Sequence, residues 1–270
     1  MESHEPRNLP LDVVSLKFNP YGDKLFFGCH EGDGIIYDIF TNSTTYETRL
    51  FETTVLSIDW KSNQILTGCS DGSSSIIDMR DEKPIINIQS SHLEEVCSVK
   101  FQPDSYLYAT CGNDCTVKIW DQRNLDKEPL VTYSEHEAAI RAVSWCPTNK
   151  DLIVTGGGTA DRCIKMWNVQ TGDTIKSINT GSQVCNLFWN SEYDEIFSTH
   201  GYSQNHLAIW KGTDLSPVAS FHNHRQRILY MCHSPDGTTV ATAAPDDSLQ
   251  IWKMFPSKRA SISQSLLLLR

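Results

Sequence analysis

The 270-residue sequence contains no apolar run approaching the ~18 residues that a membrane-crossing helix needs. It also lacks a cationic excess. Its 23 Lys and Arg stand against 33 Asp and Glu, a formal net charge of −10. A general nucleic-acid binder would present a basic face, so that class is not expected, although a local basic patch is compatible with the total. Paired cysteines are not evident either. Nine is an odd number, and Cys69, Cys111, Cys115, Cys163, Cys185 and Cys232 fall mostly in stretches that read as strands. With no signal peptide in view, they read as reduced thiols of a cytosolic or nuclear protein.

Chemistry-bearing motifs are equally scarce. Cys111 and Cys115 are four apart but have no matching pair downstream, and His222-Asn223-His224 has no third ligand in sequence reach, so no zinc site is expected. Gly156-Gly157-Gly158 lacks the Lys-Ser/Thr of a phosphate-binding loop and does not open a helix. There is no Gly-x-Ser-x-Gly elbow, and nothing orients a base beside Cys97 and His92. The expectation is a non-enzymatic chain without metal or cofactor.

What the sequence does have is a repeat. Short apolar runs that alternate with period two, the mark of a strand with one buried face, end in Tyr37-Asp38, Ile77-Asp78, Trp120-Asp121, Trp167-Asn168, Trp210-Lys211 and Trp252-Lys253. Their second positions are 40, 43, 47, 43 and 42 residues apart. A period of ~40–45 residues with four short strands and a Trp-Asp-like ending is the signature of an all-β WD-repeat β-propeller. Six such blades, each expected to have four strands, occupy residues 13–255. A short polar segment, 1–12, precedes them, and a tail, 256–270, follows.

Turn chemistry marks the hairpins: Asn19-Pro20-Tyr21-Gly22-Asp23 in the first repeat, Ser70-Asp71-Gly72 in the second, and Gln102-Pro103-Asp104 in the third. The loop Gly156–Arg162 reads as longer than its siblings and as the source of the 47-residue spacing. The sixth repeat shows no fourth strand at the expected distance, and Leu266–Leu269 is a candidate for it. His92, His136 and either His222 or His224 precede first strands, while Asp71, Asp114, Asp161 and Asp246 precede third strands. These are expected to hydrogen-bond with the Trp across each blade, satisfying groups that would be costly to bury alone.

Four segments carry more than a generic repeat: GGGTADRCIKMWN, NTGSQVCNLFWN, STHGYSQNHLAIWK and RILYMCHSPDGTTVATAAPDDSLQIWK. They resemble the Fizzy family of substrate-binding activators of the anaphase-promoting complex, and the TADRC, TGSQVCNL and STHGYSQN wording is closest to its Fizzy-related (Cdh-type) branch. The resemblance covers about residues 13–255 and is strongest after residue 93. It implies a seven-bladed propeller of which residues 13–51 correspond to the second blade. The family's first blade and its N-terminal arm, with an Asp-Arg-Phe/Tyr-Ile-Pro box, have no counterpart here. The family's terminal Ile-Arg, which docks on a tetratricopeptide subunit of the complex, corresponds to Leu269-Arg270.

The resemblance also implies a site. A pocket for the Lys-Glu-Asn degron falls on Asn113, Thr159, Gln183 and Arg227, read as equivalent loop positions of successive repeats around the channel. Arg227 suits a Glu carboxylate, and the other three suit backbone or amide groups. Asp247 falls on the family's acidic contact for the Arg of the destruction box, a half-site whose apolar wall belongs to the absent first blade. The implied function is a non-catalytic degron receptor of nucleus and cytoplasm. Its partners would be tetratricopeptide subunits and degron-bearing substrates, with no nucleic acid or membrane. A generic propeller scaffold and a non-functional fragment are the alternatives.

Overall fold

A computed structural model describes residues 12–49, 51–80, 85–124 and 128–255. Alternation and turn chemistry produce six antiparallel sheets, each a meander of consecutive strands. The first holds β1 (Val13–Phe18), β2 (Lys24–Cys29), β3 (Asp33–Asp38) and β4 (Ser43–Arg49). The second holds β5 (Val55–Lys61), β6 (Gln64–Cys69), β7 (Ser73–Asp78) and β8 (Ile85–Ser90). The third holds β9 (Val96–Phe101), β10 (Leu107–Gly112), β11 (Val117–Asp121) and β12 (Val131–Tyr133). In the fourth are β13 (Ile140–Trp145), β14 (Leu152–Gly157), β15 (Cys163–Asn168) and β16 (Thr174–Asn179). The fifth has β17 (Val184–Asn190), β18 (Glu195–His200), β19 (Leu207–Lys211) and β20 (Pro217–Phe221). The sixth has β21 (Tyr230–His233), β22 (Thr239–Ala244) and β23 (Ser248–Lys253).

Five blades therefore have the expected four strands, and among the described residues the sixth has three. Leu266–Leu269, the candidate for its outer strand, lies outside the described residues. The 47-residue spacing has a different origin from the one its glycines suggest. The turn between β14 and β15, residues 158–162, is shorter than the one between β18 and β19, residues 201–206. The extra length sits between β11 and β12, residues 122–130, where the other blades use shorter links.

Because the second strands of the four inner blades, β6, β10, β14 and β18, are buried on both faces, each pair of neighbouring blades shares an apolar layer. Phe26 and Ile36 of the first blade pack on Trp60, Ile65 and Ile77 of the second. Leu66 and Ile76 then meet Val99, Phe101 and Trp120, and Ala109 and Ile119 meet Trp145, Ile153 and Trp167. Val154, Ile164 and Met166 face Leu187, Trp189 and Ile196. Phe197, Leu207 and Ile209 face Val240 and Trp252. Each fully buried Ile, Leu or Phe stabilises by about 1.5–3 kcal/mol relative to exposure.

Those are five layers for six blades. The outward faces of the end blades stay bare. Leu16 and Phe18 on β1 are 57% and 49% exposed, and Leu249 and Ile251 on β23 are 66% and 70% exposed. Tyr230 lies in the same cross-strand row as Leu249, joined through Ala243. Among the described residues, the first and sixth blades do not cover one another.

Candidate functional site

The turns between second and third strands set the functional face, and their geometry repeats. A residue with positive φ closes each one, at positions 32, 72, 115, 162, 205 and 247. The first two are Gly32 and Gly72, for which this conformation carries no Cβ penalty. In four blades the preceding residue is an Asp whose place is held by hydrogen bonds. The Asp71 carboxylate accepts from the Ser73 N–H at 2.9 Å, and the Asp114 and Asp246 carboxylates accept from the N–H groups of Thr116 and Ser248, both at 3.1 Å. This is the Asx-turn arrangement that favours Asp in tight turns.

In three blades a histidine ties that Asp to the Trp. Trp120 Nε1 donates to Thr110 Oγ1 at 2.9 Å, His92 Nε2 lies 2.8 Å from the same oxygen, and His92 Nδ1 lies 3.0 Å from Asp114. The fourth blade repeats this with Trp167, Thr155, His136 and Asp161. In the sixth, Trp252 donates to Thr242, His224 bonds Thr242 and Ser248, and Asp246 bonds Ser248. His224, not His222, is therefore the sixth-blade member. Burial pulls His92 below its usual range, with Asp114 opposing. Burial would raise Asp114 and Asp161, yet bonds from Thr116 and from His136, respectively, outweigh it and hold both carboxyls low.

The fifth blade is wired differently. Trp210 Nε1 donates to Ser198 Oγ at 2.7 Å, but the histidine on that hydroxyl is His200, two residues along the same strand, at 2.7 Å. Its other nitrogen faces Thr180 Oγ1 at 3.5 Å rather than a carboxylate. His206 stacks on His200 at 4.2 Å and on His222 at 4.9 Å. Burial drives His200 down to about 3 and His206 down to about 4.

The turns just described and the loops that precede first strands meet at one end of the blades. The Asn113 N–H donates to the Glu95 carbonyl, and the Gly201 N–H donates to the Gln183 carbonyl, each at 2.9 Å. Asn113, Thr159, Gln183 and Arg227 all lie at this end, on four consecutive blades. They are not one equivalent loop position, as the repeat alone suggests. Asn113 and Thr159 sit in the turns before β11 and β15, whereas Gln183 and Arg227 sit just before β17 and β21. The reason is that both loop types open on the same rim.

Gln183 and Arg227 come together across Gly201. A Cβ on Gly201 would stand 2.9 Å from Gln183 Oε1 and 3.4 Å from Arg227 Cβ, so the glycine is the floor of the space between them. Arg227 is exposed and has no acidic partner within ion-pair distance among the described residues. Beneath it Cys185 is buried, its thiol pushed up to about 11 by burial against the lowering charges of Arg227 and Arg141. Asn113 Nδ2 donates to Glu94 Oε2 at 2.6 Å, and Thr159 is exposed, its carbonyl accepting from Arg162 Nε at 2.8 Å. Gly201 is a member of this site that the repeat pattern does not single out. Nothing in its composition marks it, because its role depends on which loops lie beside it.

Asp247 is exposed at the left-handed turn position, with φ 58°. Its neighbour Asp246 does the structural work, accepting from Ser248 and from the Arg225 N–H at 2.7 Å, and is held well below the usual carboxylate range by those bonds. Leu269 and Arg270 lie outside the described residues.

Residues 2–252 match a family model described as the CDC20/Fizzy WD40 domain. The protein FIZZY-RELATED 2 of Arabidopsis thaliana is 37% identical over 253 residues, covering 94% of this chain and 52% of its own. "Cell division cycle 20.5, cofactor of APC complex", from the same plant, is 37% identical over 249 residues, covering 90% of this chain and 55% of its own. The chain thus spans about half the length of the curated relatives it matches. A chain in the crystal structure of a mitotic checkpoint complex superposes with a TM-score of 0.88 at 33% identity, over 92% of this chain and 76% of that one.

Proposed function

The chain belongs to the CDC20/Fizzy WD40 family, and on that premise we propose that it is a non-catalytic adaptor that recognises degrons for the anaphase-promoting complex. The relative named as a cofactor of the APC complex supports this reading. The observation that carries the site is the pairing of Gln183 and Arg227 across Gly201. An unpaired guanidinium beside an amide, over a floor without a side chain, suits a peptide that offers a carboxylate next to an amide. In this reading Arg227 takes the Glu of a Lys-Glu-Asn motif, Gln183 bonds its backbone or Asn, and Thr159 and Asn113 extend the contact along the rim. Asp247 is the acidic contact for the Arg of a destruction box, and Leu269-Arg270 is the tail that engages a tetratricopeptide subunit.

Fluorescence anisotropy with a labelled Lys-Glu-Asn peptide tests the central claim. Saturable binding that disappears in Arg227→Glu, while a scrambled peptide stays unbound, is the expected result. Binding that survives this charge reversal would place the peptide elsewhere.

A further inference from the structure

The first strands of all six blades wall a central cavity of about 360 Å³. In a chain whose net charge is −10, that wall is cationic. Lys17 from β1, Lys100 from β9 and Arg141 from β13 line it, together with His233 from β21 and the polar Ser98, Ser144 and Asn186. One carboxylate, Asp59 of β5, stands against these cations. Lys100 Nζ lies 3.0 Å and Lys17 Nζ 3.4 Å from the same oxygen, Asp59 Oδ1. Its other oxygen accepts from the Phe101 N–H at 2.9 Å. Asp59 is therefore fully committed, and two ammonium groups share a single charge.

The imbalance acts on the lysines themselves. The charge of Lys100, first of all, holds Lys17 below the usual lysine range, even though Asp59 pulls the other way. Arg141 has no carboxylate within ion-pair distance among the described residues. Burial keeps His233 below the usual histidine range, and the nearby charges of Lys100 and Lys17 add to this. An ion-pair triad with matched charge would need nothing further. This one leaves two positive charges over, in a walled channel where low-dielectric surroundings strengthen the field.

We propose that this channel is a binding site for a small multivalent anion of the phosphate type, held between Lys17, Lys100 and Arg141. The cavity admits an ion of pyrophosphate or tripolyphosphate size. The planar guanidinium of Arg141 can give paired N–H bonds to two phosphate oxygens, and the lysines act as point charges. A monocarboxylate would neutralise half of the excess.

The test uses the 270-residue chain and sodium tripolyphosphate, followed by calorimetric titration and thermal melting, against KCl at matched ionic strength. The expected result is saturable binding and a raised melting temperature that KCl does not reproduce. Arg141→Gln and Lys100→Met should each weaken binding about tenfold, the loss of one charge-assisted contact. Asp59→Asn, which keeps an acceptor for Phe101 but removes the competing charge, should tighten binding. Lys176→Met, an exposed lysine on β16, serves as the control and should change nothing. A response equal to that of KCl, or one that persists undiminished in Arg141→Gln and Lys100→Met, overturns the proposal. If Asp59→Asn fails to fold by circular dichroism, the other two variants still decide.

Discussion

Blades four and five solve the same problem with different parts. Both must satisfy a Trp N–H inside a sheet stack, and both place a hydroxyl and an imidazole there. In blade four the imidazole of His136 arrives from the loop before β13 and is held by Asp161 from the turn before β15. That carboxylate ties the turn to the core. In blade five His200 comes from β18 itself, and no carboxylate follows. The turn 201–206 is held instead by buried Ser182, whose Oγ donates to the Gly201 carbonyl at 2.7 Å, and it is this turn that supplies Gly201 between Gln183 and Arg227.

Removing the anchor from the regular blade should have the largest effect. Asp161→Ala leaves Nδ1 of the buried His136 imidazole without its hydrogen-bond partner, and an unsatisfied buried polar group costs about 1–3 kcal/mol. Urea unfolding of the variant should show that loss. A change below ~1 kcal/mol would mean that the blade-four network is no more anchored than its rewired neighbour.

Acid should separate the two blades next. His200 and His206 are neutral in the fold, with values near 3 and 4, whereas an unfolded histidine titrates near 6.5. The unfolded chain therefore takes up protons first. Stability is fully present above about pH 6.5 and declines as pH falls toward 4, by at most about 1.4 kcal/mol per pH unit for each histidine. Melting temperatures between pH 7 and pH 4 should trace this slope, and His200→Gln should flatten it. A slope unaltered by that substitution would assign the acid sensitivity to other groups.

Gly201→Ala should have the smallest effect on stability and a selective one on binding. The new Cβ meets the movable end of Gln183 at 2.9 Å, so the fold loses little, while the space beside Arg227 narrows. We expect about tenfold weaker Lys-Glu-Asn peptide binding, or about 1.4 kcal/mol, at an almost unchanged melting temperature. Full-strength binding would show that the peptide does not use this floor.

Strand placement is legible in the sequence because alternation, Gly and Asp turns and a terminal Trp all repeat together. The turns marked by Asn19–Asp23, Ser70–Gly72 and Gln102–Asp104 do fall between β1 and β2, β6 and β7, and β9 and β10. The regular networks around His92 and His136 are legible for the same reason, as residue type and position coincide. The choice between His222 and His224 is not, since it depends on which side of the strand end faces inward. Blade five is illegible for a stronger reason. His200 reads as an ordinary strand residue until its register places it over Ser198. The misplaced insertion has a similar source, because three consecutive glycines draw attention to residues 156–158 while the real extra length lies in the unremarkable 122–130 link. The rim residues are legible only through the family resemblance, not through their chemistry. Two loop types converge there, and only the fold shows that they do.

The bare faces of the first and sixth blades have a thermodynamic consequence. Six blades joined by five apolar layers behave as a linear array, in which each inner unit is stabilised by two neighbours and each end unit by one. In such an array opening nucleates at the ends and propagates inward, so unfolding is graded along the chain. The rim residues Asn113, Thr159 and Gln183 belong to the middle units or their borders. Arg227 belongs to an end unit, so fraying of the sixth blade would carry it away from Gln183 while most of the array still stands.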